Sequence, residues 1–326
     1  MTEMVKNSSV DYLALINGTA LYQRPNAGLL RLSDADRADF LHRMTTNEIN
    51  HLAPGQSAVT VLTNPTARIV QVFTVLCRDN ELWLLPAPGE ATALERHLRG
   101  QIFFMDHVKV TNLSEEYGRL RVMGATAAET LTAINLPVSE LADGAWVDVT
   151  ADEDMNYTIL KQSAYEVPGY ELLIPAAALA TVETQLTDAG AVPITEEIYT
   201  THRIALGRPA PGAELTDAYN PLEAGLGWTC ADNKGCYTGQ EIIARQLTYD
   251  KVTKTLVGLR SSSPLSVGSE LEAEGRTVGT VTSSTERANL GGPIALAIVK
   301  RPYNEPGTQL SSGGHDVTVV ALPFEA

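Results

Sequence analysis

The chain has 326 residues, of which 44% are hydrophobic and 19% are charged, and its formal net charge is -15 at pH 7. This composition supplies a packed core and disfavours the disordered and collagen-like classes, and no run approaches the ~20 apolar residues that span a bilayer. The acidic balance also argues against broad binding to nucleic acid or anionic lipid, since both need a positive field. Chains longer than ~250 residues usually divide into domains, so we expect more than one.

The cysteines and histidines indicate neither a disulfide framework nor a metal centre. Cys77, Cys230 and Cys236 are irregularly spaced and one thiolate short of a cluster site, and the six histidines show no zinc-binding spacing. The N-terminal segment lacks the apolar core of a signal peptide and the arginines of a transit peptide. We therefore expect a reducing compartment, with the cytoplasm as the default, and no permanently bound metal.

Strand-like and helix-like patterns alternate through the first part of the chain. Strand patterns rich in Val, Ile, Leu and Thr lie between turn residues at 29–32, 57–62, 68–77, 81–85 and 108–110. Helical spacing follows Ser33, which can cap a helix, and recurs over residues 89–98. We predict one α+β lobe here, over about residues 1–115.

A second lobe and a small β domain follow. Further strand patterns lie at residues 120–123, 146–149, 158–160 and 171–174, with helical patterns at 127–134, 176–186 and 196–206. They predict an α+β lobe over about residues 116–245. From Lys254 onward, short strands between Gly and Pro turns predict a separate barrel or sandwich over residues 246–326.

The most distinctive segment is the string Lys234-Gly235-Cys236-Tyr237-Thr238-Gly239-Gln240-Glu241, which we call the signature loop. Thr238 and Glu241 have capping-box spacing and predict a helix that begins there. Cys236 would then lie just before a helix N-terminus and near Lys234, and both favour a reactive thiolate. A plainer alternative remains open, in which the glycines shape a helix entry and Cys236 is a small packed residue.

The signature loop resembles the signature of the YgfZ-type family, which belongs to a folate-binding superfamily together with the glycine-cleavage T-protein, an aminomethyltransferase. Other stretches also resemble the superfamily pattern, and they are Asp34-Ala35-Asp36, Thr45-Thr46-Asn47, Pro54-Gly55-Gln56, Leu62-Thr63-Asn64, Val167-Pro168-Gly169-Tyr170-Glu171, Gly207-Arg208-Pro209 and Pro221-Leu222-Glu223-Ala224-Gly225-Leu226. The resemblance implies a ring of three lobes, the last a β-barrel, around tetrahydrofolate or a derivative. It also implies a role in the assembly or repair of iron–sulfur proteins, including enzymes of tRNA modification. The expected partners are a reduced folate and iron–sulfur client or assembly proteins, without nucleic acid or membrane.

Several residues outside Cys236 are candidates for the folate site. Glu171 matches the superfamily glutamate, whose carboxylate can accept two hydrogen bonds from a pterin edge. Arg203 and Arg245 can pair with the glutamate tail of folate, and Tyr237 can flank the pterin ring. The plainer alternatives are an exposed strand glutamate, surface ion pairs and core packing.

One departure from the T-protein pattern bears on the reaction. Gln71 and Val72 stand where the T-protein carries paired carboxylates, and a neutral amide cannot act as the base there. The sequence therefore predicts no aminomethyltransferase activity of the T-protein type. The alternative function is a tetrahydrofolate-dependent one-carbon transferase or demethylase, and the signature loop favours the iron–sulfur role over it.

Overall fold

The computed structural model describes residues 11–136, 138–152, 155–287 and 291–324. Two compact units divide the chain. The first contains the residues up to Arg43, Glu48–Thr60 and Phe73–Tyr199, and the second contains Met44–Asn47, Val61–Val72 and the residues from Thr200 onward. No helix within the described ranges is both long and apolar enough to cross a membrane.

Both units combine short helices with antiparallel strands. The helices are α1 (residues 11–17), α2 (Arg37–Met44), α3 (Ala91–Gly100), α4 (Ala127–Ala133), α5 (Leu179–Asp188), α6 (Glu196–Ala205) and α7 (Gln240–Thr248). The strands before residue 200 are β1 (Ala20–Gln23), β2 (Leu30–Ser33), β3 (Ser57–Thr63), β4 (Ile69–Cys77), β5 (Glu81–Pro86), β6 (Lys109–Asn112), β7 (Tyr117–Met123), β8 (Trp146–Asp152), β9 (Met155–Gln162), β10 (Gly169–Pro175) and β11 (Val192–Pro193). The later strands are β12 (Lys254–Ser261), β13 (Glu270–Ala273), β14 (Arg276–Arg287), β15 (Gly292–Lys300), β16 (Gln309–Ser312) and β17 (His315–Val320).

Strand β7 lies inside a six-stranded sheet of order β11-β1-β7-β10-β9-β8 and has two different faces. Successive side chains of a strand point to opposite faces. Leu120 and Val122 therefore pack with helices α4 and α5 in one apolar core, through residues such as Leu131 and Val182. The side chains between them, Arg119 and Arg121, point to the other face.

The last strands form a closed six-stranded barrel of order β12-β15-β14-β13-β16-β17. Strand β12 pairs with both β15 and β17, so the sheet has no free edge, and its interior is filled by aliphatic side chains such as Leu259, Val281 and Val317. The predicted α+β fold with a C-terminal barrel is thereby confirmed. The lobe boundaries and the ring arrangement stay predictions.

One local expectation differs from the structure, and strand β1 was not expected. Ser33 is the last residue of β2 and pairs with Glu81 and Lys109, so the prediction that it caps α2 is wrong and the helix begins only at Arg37. Strand β1 carries no predictive pattern of its own, since it is short and buried on both faces, and it is fixed by antiparallel pairing with β7.

Candidate functional site

Glu171 lies in the middle of β10, directly opposite Arg121 on β7. Its side chain points away from the core that α4 and α5 cover, on the same face as Arg119 and Arg121. Only 1% of Glu171 is exposed, so the alternative of a solvated strand glutamate is wrong. A carboxylate this deeply buried requires cationic partners.

Three arginines supply those partners. Arg119 Nε donates to Glu171 Oε1 at 2.6 Å, while Arg24 Nε and Arg121 Nε lie 3.2 Å and 3.6 Å from Oε2. Arg24 also forms an ion pair with Glu166. These five residues, which we call the arginine cluster, place three guanidinium groups against two carboxylates in the first unit.

Burial and neighbouring charges set the protonation of the cluster. Burial opposes ionisation of Glu166, but the Arg24 and Arg121 guanidinium groups outweigh it and hold the pKa of this carboxyl below its usual range. Burial, followed by the charge of Glu166, raises the pKa of Tyr199 to about 12. Glu166 is therefore ionised at neutral pH, and the neighbouring tyrosine hydroxyl keeps its proton.

We expect acid to destabilise the protein partly through Glu166. Its folded-state pKa is lowered, so its ionised form contributes stability above the unfolded-state value of about 4.3, and this contribution is lost as the pH falls through the folded-state value. Urea denaturation from neutral pH down to about pH 3 measures the effect. Glu166→Gln should reduce the loss of unfolding free energy between neutral pH and about pH 3, whereas Glu197→Gln, at an exposed position on α6, should leave this loss unchanged. The same loss of unfolding free energy in the Glu166 variant and the wild type would refute this expectation.

One oxygen of Glu171 lacks a hydrogen-bond donor among the described residues. Oε2 is buried and accepts no hydrogen bond from any residue of the described ranges, although two guanidinium nitrogens lie within ion-pair range. A buried carboxylate oxygen normally accepts at least one hydrogen bond. The N–H donors of a pterin edge are of the kind that would satisfy it, and folate binding by Glu171 stays a prediction.

The signature loop lies in the second unit, and its helix begins differently from the prediction. The residue that caps α7 is Gly239, with φ of 84°, and no side chain caps the helix. The Thr238–Glu241 capping box is therefore wrong. Thr63 Oγ1 donates to the Thr238 carbonyl at 2.5 Å, and a Cβ on Gly239 would come within 2.9 Å of Asn64 O and Ala67 Cα. Glycine is needed here both for the left-handed conformation and for this close approach.

Lys234 links the signature loop by hydrogen bonds to a segment that is far away in the sequence. Its Nζ donates to the carbonyls of Thr45 and Asn47 at 2.6 and 2.7 Å and lies 5.1 Å from the centre of the Tyr237 ring. These contacts give Lys234 a structural role, and the predicted effect of its charge on Cys236 stays a prediction.

The buried side chain of Tyr237 also holds the signature loop in place. It is 7% exposed and packs with Ala67, Leu222 and Ile243. Burial, with a smaller contribution from Cys230, raises the pKa of its hydroxyl. Core packing accounts for this tyrosine, and its role beside a pterin stays a prediction.

The three cysteines differ in access to solvent. Cys236 is exposed, between the fixed residues Lys234 and Tyr237. Burial raises the pKa of Cys77, and it raises that of Cys230 to about 11. Cys236 is therefore the accessible thiol, and the sequence-based alternative of a packed cysteine is wrong for it.

Arg203 and Arg245 have contrasting environments in the second unit. Arg203 is 8% exposed and donates to the Arg208 carbonyl, to Ser283 Oγ and to Glu214, which itself is fully buried. Arg245 lies exposed on α7, and no carboxylate within the described ranges pairs with it. A role in binding a folate tail stays a prediction for both, and only Arg245 has its guanidinium available.

Two parts of the chain match domains of one known protein family. Residues 3–234 match the GCVT N-terminal domain, and residues 254–324 match the glycine cleavage T-protein C-terminal barrel domain. The chain belongs to the glycine cleavage T-protein family.

Individual members of the T-protein family align over most of the chain. An Arabidopsis thaliana protein named as a chloroplastic transferase is 32% identical, over 94% of this chain and 69% of its own length. The aminomethyltransferase of Exiguobacterium sibiricum is 28% identical, over 90% of this chain and 81% of its own length. The crystal structure of glycine cleavage system aminomethyltransferase T from Bartonella henselae has the same fold, with a TM-score of 0.87, 23% identity and coverage of 98% of this chain and 89% of that one.

Two residues of β4 bear on the expected departure from the T-protein pattern. Gln71 is half-buried and Val72 is 4% exposed, and their replacement of the paired carboxylates stays a prediction. Within the described part of the chain, no group of three or more His, Cys, Asp or Glu side chains is placed to hold a metal ion.

Sequence reasoning missed four members of the arginine cluster: Arg24, Arg119, Arg121 and Glu166. A signal for two of them exists, since Arg119 and Arg121 alternate with Leu120 and Val122 in a run that otherwise resembles a buried strand. Arginine on one face of such a strand indicates a buried carboxylate partner. The pattern does not say which carboxylate that is.

Proposed function

We propose that this T-protein family member binds a reduced folate and supports the assembly or repair of iron–sulfur proteins, including those that modify tRNA. The observation that carries the proposal is Cys236, an exposed thiol on a loop fixed on both sides by Lys234 and Tyr237. After losing its proton to solvent, its sulfur can donate a lone pair to iron of a client cluster and release it again. Such transient ligation requires neither an oxidant nor a reductant.

The folate part of the proposal rests on Glu171 and on the family. The T-protein family binds tetrahydrofolate, which carries one-carbon units on its nitrogens. In this chain Glu171 would accept from the pterin edge through Oε2, while ion pairs with Arg119, Arg24 and Arg121 hold the carboxylate in position. The resemblance of the signature loop to the YgfZ-type family supports an iron–sulfur role for Cys236 in a protein that also binds folate. We also propose a reducing compartment, the cytoplasm, because no disulfide pattern is present.

The alternative function is a tetrahydrofolate-dependent one-carbon transferase or demethylase. Its support is the names of the relatives, which are a transferase and several aminomethyltransferases. Gln71 weighs against the aminomethyl reaction, because an amide neither takes a proton from an attacking amine nor stabilises a developing cation as a carboxylate does.

Calorimetric titration with tetrahydrofolate and with its 5-formyl derivative tests the folate part directly. We expect wild type and Cys236→Ser to bind equally, since the thiol is not part of the pterin site, and Glu171→Gln to bind more than tenfold more weakly at a temperature where circular dichroism shows it folded. Absence of binding by the wild type for both folates would overturn the folate part, whatever the variants do.

We expect the purified protein to release no ammonia from aminomethylated carrier protein above the uncatalysed background. The reason is the neutral side chain of Gln71, at the position where the resemblance to the T-protein implies a carboxylate. An aminomethyltransferase of the same family, assayed in parallel, is the positive control. Folate-dependent release of ammonia would instead establish the alternative function.

A further inference from the structure

Helix α7 exposes apolar side chains that a helix of its length would normally hide. Ile243 is its buried apolar residue, whereas Ile242 and Leu247 are 38% and 50% exposed, and Tyr249, just after the helix, is 65% exposed. Ile242, Arg245 and Tyr249 are spaced three and four residues apart, so they share one face. An apolar face that the rest of the second unit leaves uncovered is a candidate contact surface.

Ile242 and Arg245 of this face line a cavity of about 560 Å³, which we call the basic groove. Its lining includes the apolar residues Ile242 and Val252, the cations Arg245, Lys251 and Arg301, and the acidic residue Asp250. Its volume lies within the range of ligand-binding clefts, ~300–1,000 Å³. Apolar side chains from α7 and from the following segment therefore line a space that also holds three cations.

The charges of the basic groove have the opposite sign to the charge of the chain. Asp250 is the acidic residue of its lining, and it is paired with Arg301 at 3.0 Å. Lys251 Nζ lies 5.6 Å from the Tyr249 ring centre, and neither Lys251 nor Arg245 has an ion pair within the described ranges. Two cations thus remain uncompensated in a protein of net charge -15.

The walls of the groove are held in place by backbone and side-chain hydrogen bonds. Lys251 N donates to the Gln246 carbonyl at 2.9 Å, which closes the end of α7, and Arg301 N donates to the Thr253 carbonyl at 2.9 Å. Gln246 Oε1 accepts from Asn220 at 2.9 Å. A preformed site loses little conformational entropy on binding, which favours affinity.

We propose that the basic groove docks an acidic segment of a partner protein, with an apolar side chain of that segment against Ile242 and Val252 and its carboxylates on Arg245 and Lys251. Arginine pairs well with carboxylates, and an aliphatic wall suits a leucine-like anchor. The net charge of -15 opposes the approach of an extended polyanion such as nucleic acid or an anionic lipid surface, whereas a short segment in the groove lies within the screening length of about 8 Å from Arg245 and Lys251. The groove requires neither folate nor Cys236, so its test is independent of the proposed function.

Fluorescence anisotropy tests this with a fluorescein-labelled peptide of repeated Glu-Glu-Leu triplets, compared with Gln-Gln-Leu and Lys-Lys-Leu counterparts. Of the three peptides, we expect only the acidic one to bind, with an affinity that falls as the salt concentration rises. Arg245→Glu and Lys251→Glu should each weaken binding about tenfold or more, the equivalent of ~1.4 kcal/mol. Ile242→Ser should also weaken binding without changing its salt dependence. Arg276→Glu, which reverses an exposed cation on the barrel strand β14, is the matched control and should bind as the wild type does.

Several outcomes would overturn the proposal. One is absence of binding of the acidic peptide by the wild type, and another is equal loss of affinity in the Arg276 control. Displacement of the peptide by an oligothymidylate or by phosphatidylglycerol vesicles at equal charge would show that the groove binds anions in general. Displacement by a reduced folate would instead assign Arg245 to the folate tail.

Discussion

Glu171→Gln is expected to lower the free energy of unfolding by about 3–5 kcal/mol, the cost of removing one partner from a buried ion pair. The substitution keeps the shape of the side chain but leaves three buried guanidinium groups against Glu166 alone. Arg121 is the worst affected, because it is fully buried and its Nε and Nη1 already lack hydrogen bonds within the described ranges. Urea denaturation followed by circular dichroism measures the loss.

A control variant separates the loss of stability in Glu171→Gln from the effect of removing one negative charge from the protein. Glu197→Gln makes the same chemical change at an exposed position of the first unit and should shift stability by less than about 0.5 kcal/mol. The double variant Glu171→Gln with Arg121→Met should recover part of the loss, because it removes the charge that has lost its partner. If Glu171→Gln is as stable as the wild type, the ion pairs between Glu171 and the three arginines do not stabilise the fold.

Cys236→Ser is expected to abolish complementation of a strain defective in iron–sulfur-dependent tRNA modification, while leaving the fold intact. The side chain is exposed and the start of α7 depends on Gly239, so serine removes no buried contact and no helix cap. In the wild type, iodoacetamide should modify Cys236 more than tenfold faster than the other two thiols, because reactivity follows access and thiolate content and burial raises the pKa of both others. Mass spectrometry of the modified peptides gives the three rates.

The matched control is Cys77→Ser. Cys77 Sγ donates to the Leu52 carbonyl at 3.0 Å, and a serine hydroxyl can make the same bond, so this variant should complement fully. Full complementation by Cys236→Ser, or alkylation of Cys236 no faster than that of Cys77, would leave the signature loop as a structural helix entry.

The sequence by itself predicted the elements whose signals are local. Alternating Val, Ile and Thr between Gly and Pro turns predicted the strands of the barrel, and apolar spacing predicted α4 and α6, because the solvent-facing and core-facing sides of such elements differ within one short window. The eight residues of the signature loop likewise drew attention to Cys236 without any tertiary information. In each case the chemistry and the position are encoded by neighbours in the chain.

Contacts between residues far apart in the chain had to be decided by the tertiary structure. Pairing of β7 with β10 places Arg121 opposite Glu171, and Arg24 reaches the same carboxylate from beyond the end of β1. The local capping pattern of Thr238 was overridden, because Asn64 and Ala67 lie so close to the start of α7 that position 239 has room only for glycine, which caps the helix instead. The environment of a buried carboxylate or of a helix start depends on the segments that fold against it, which can be far away in the sequence. Strand register, which brings the residues of the arginine cluster together, is likewise a property of two paired strands and not of either strand alone.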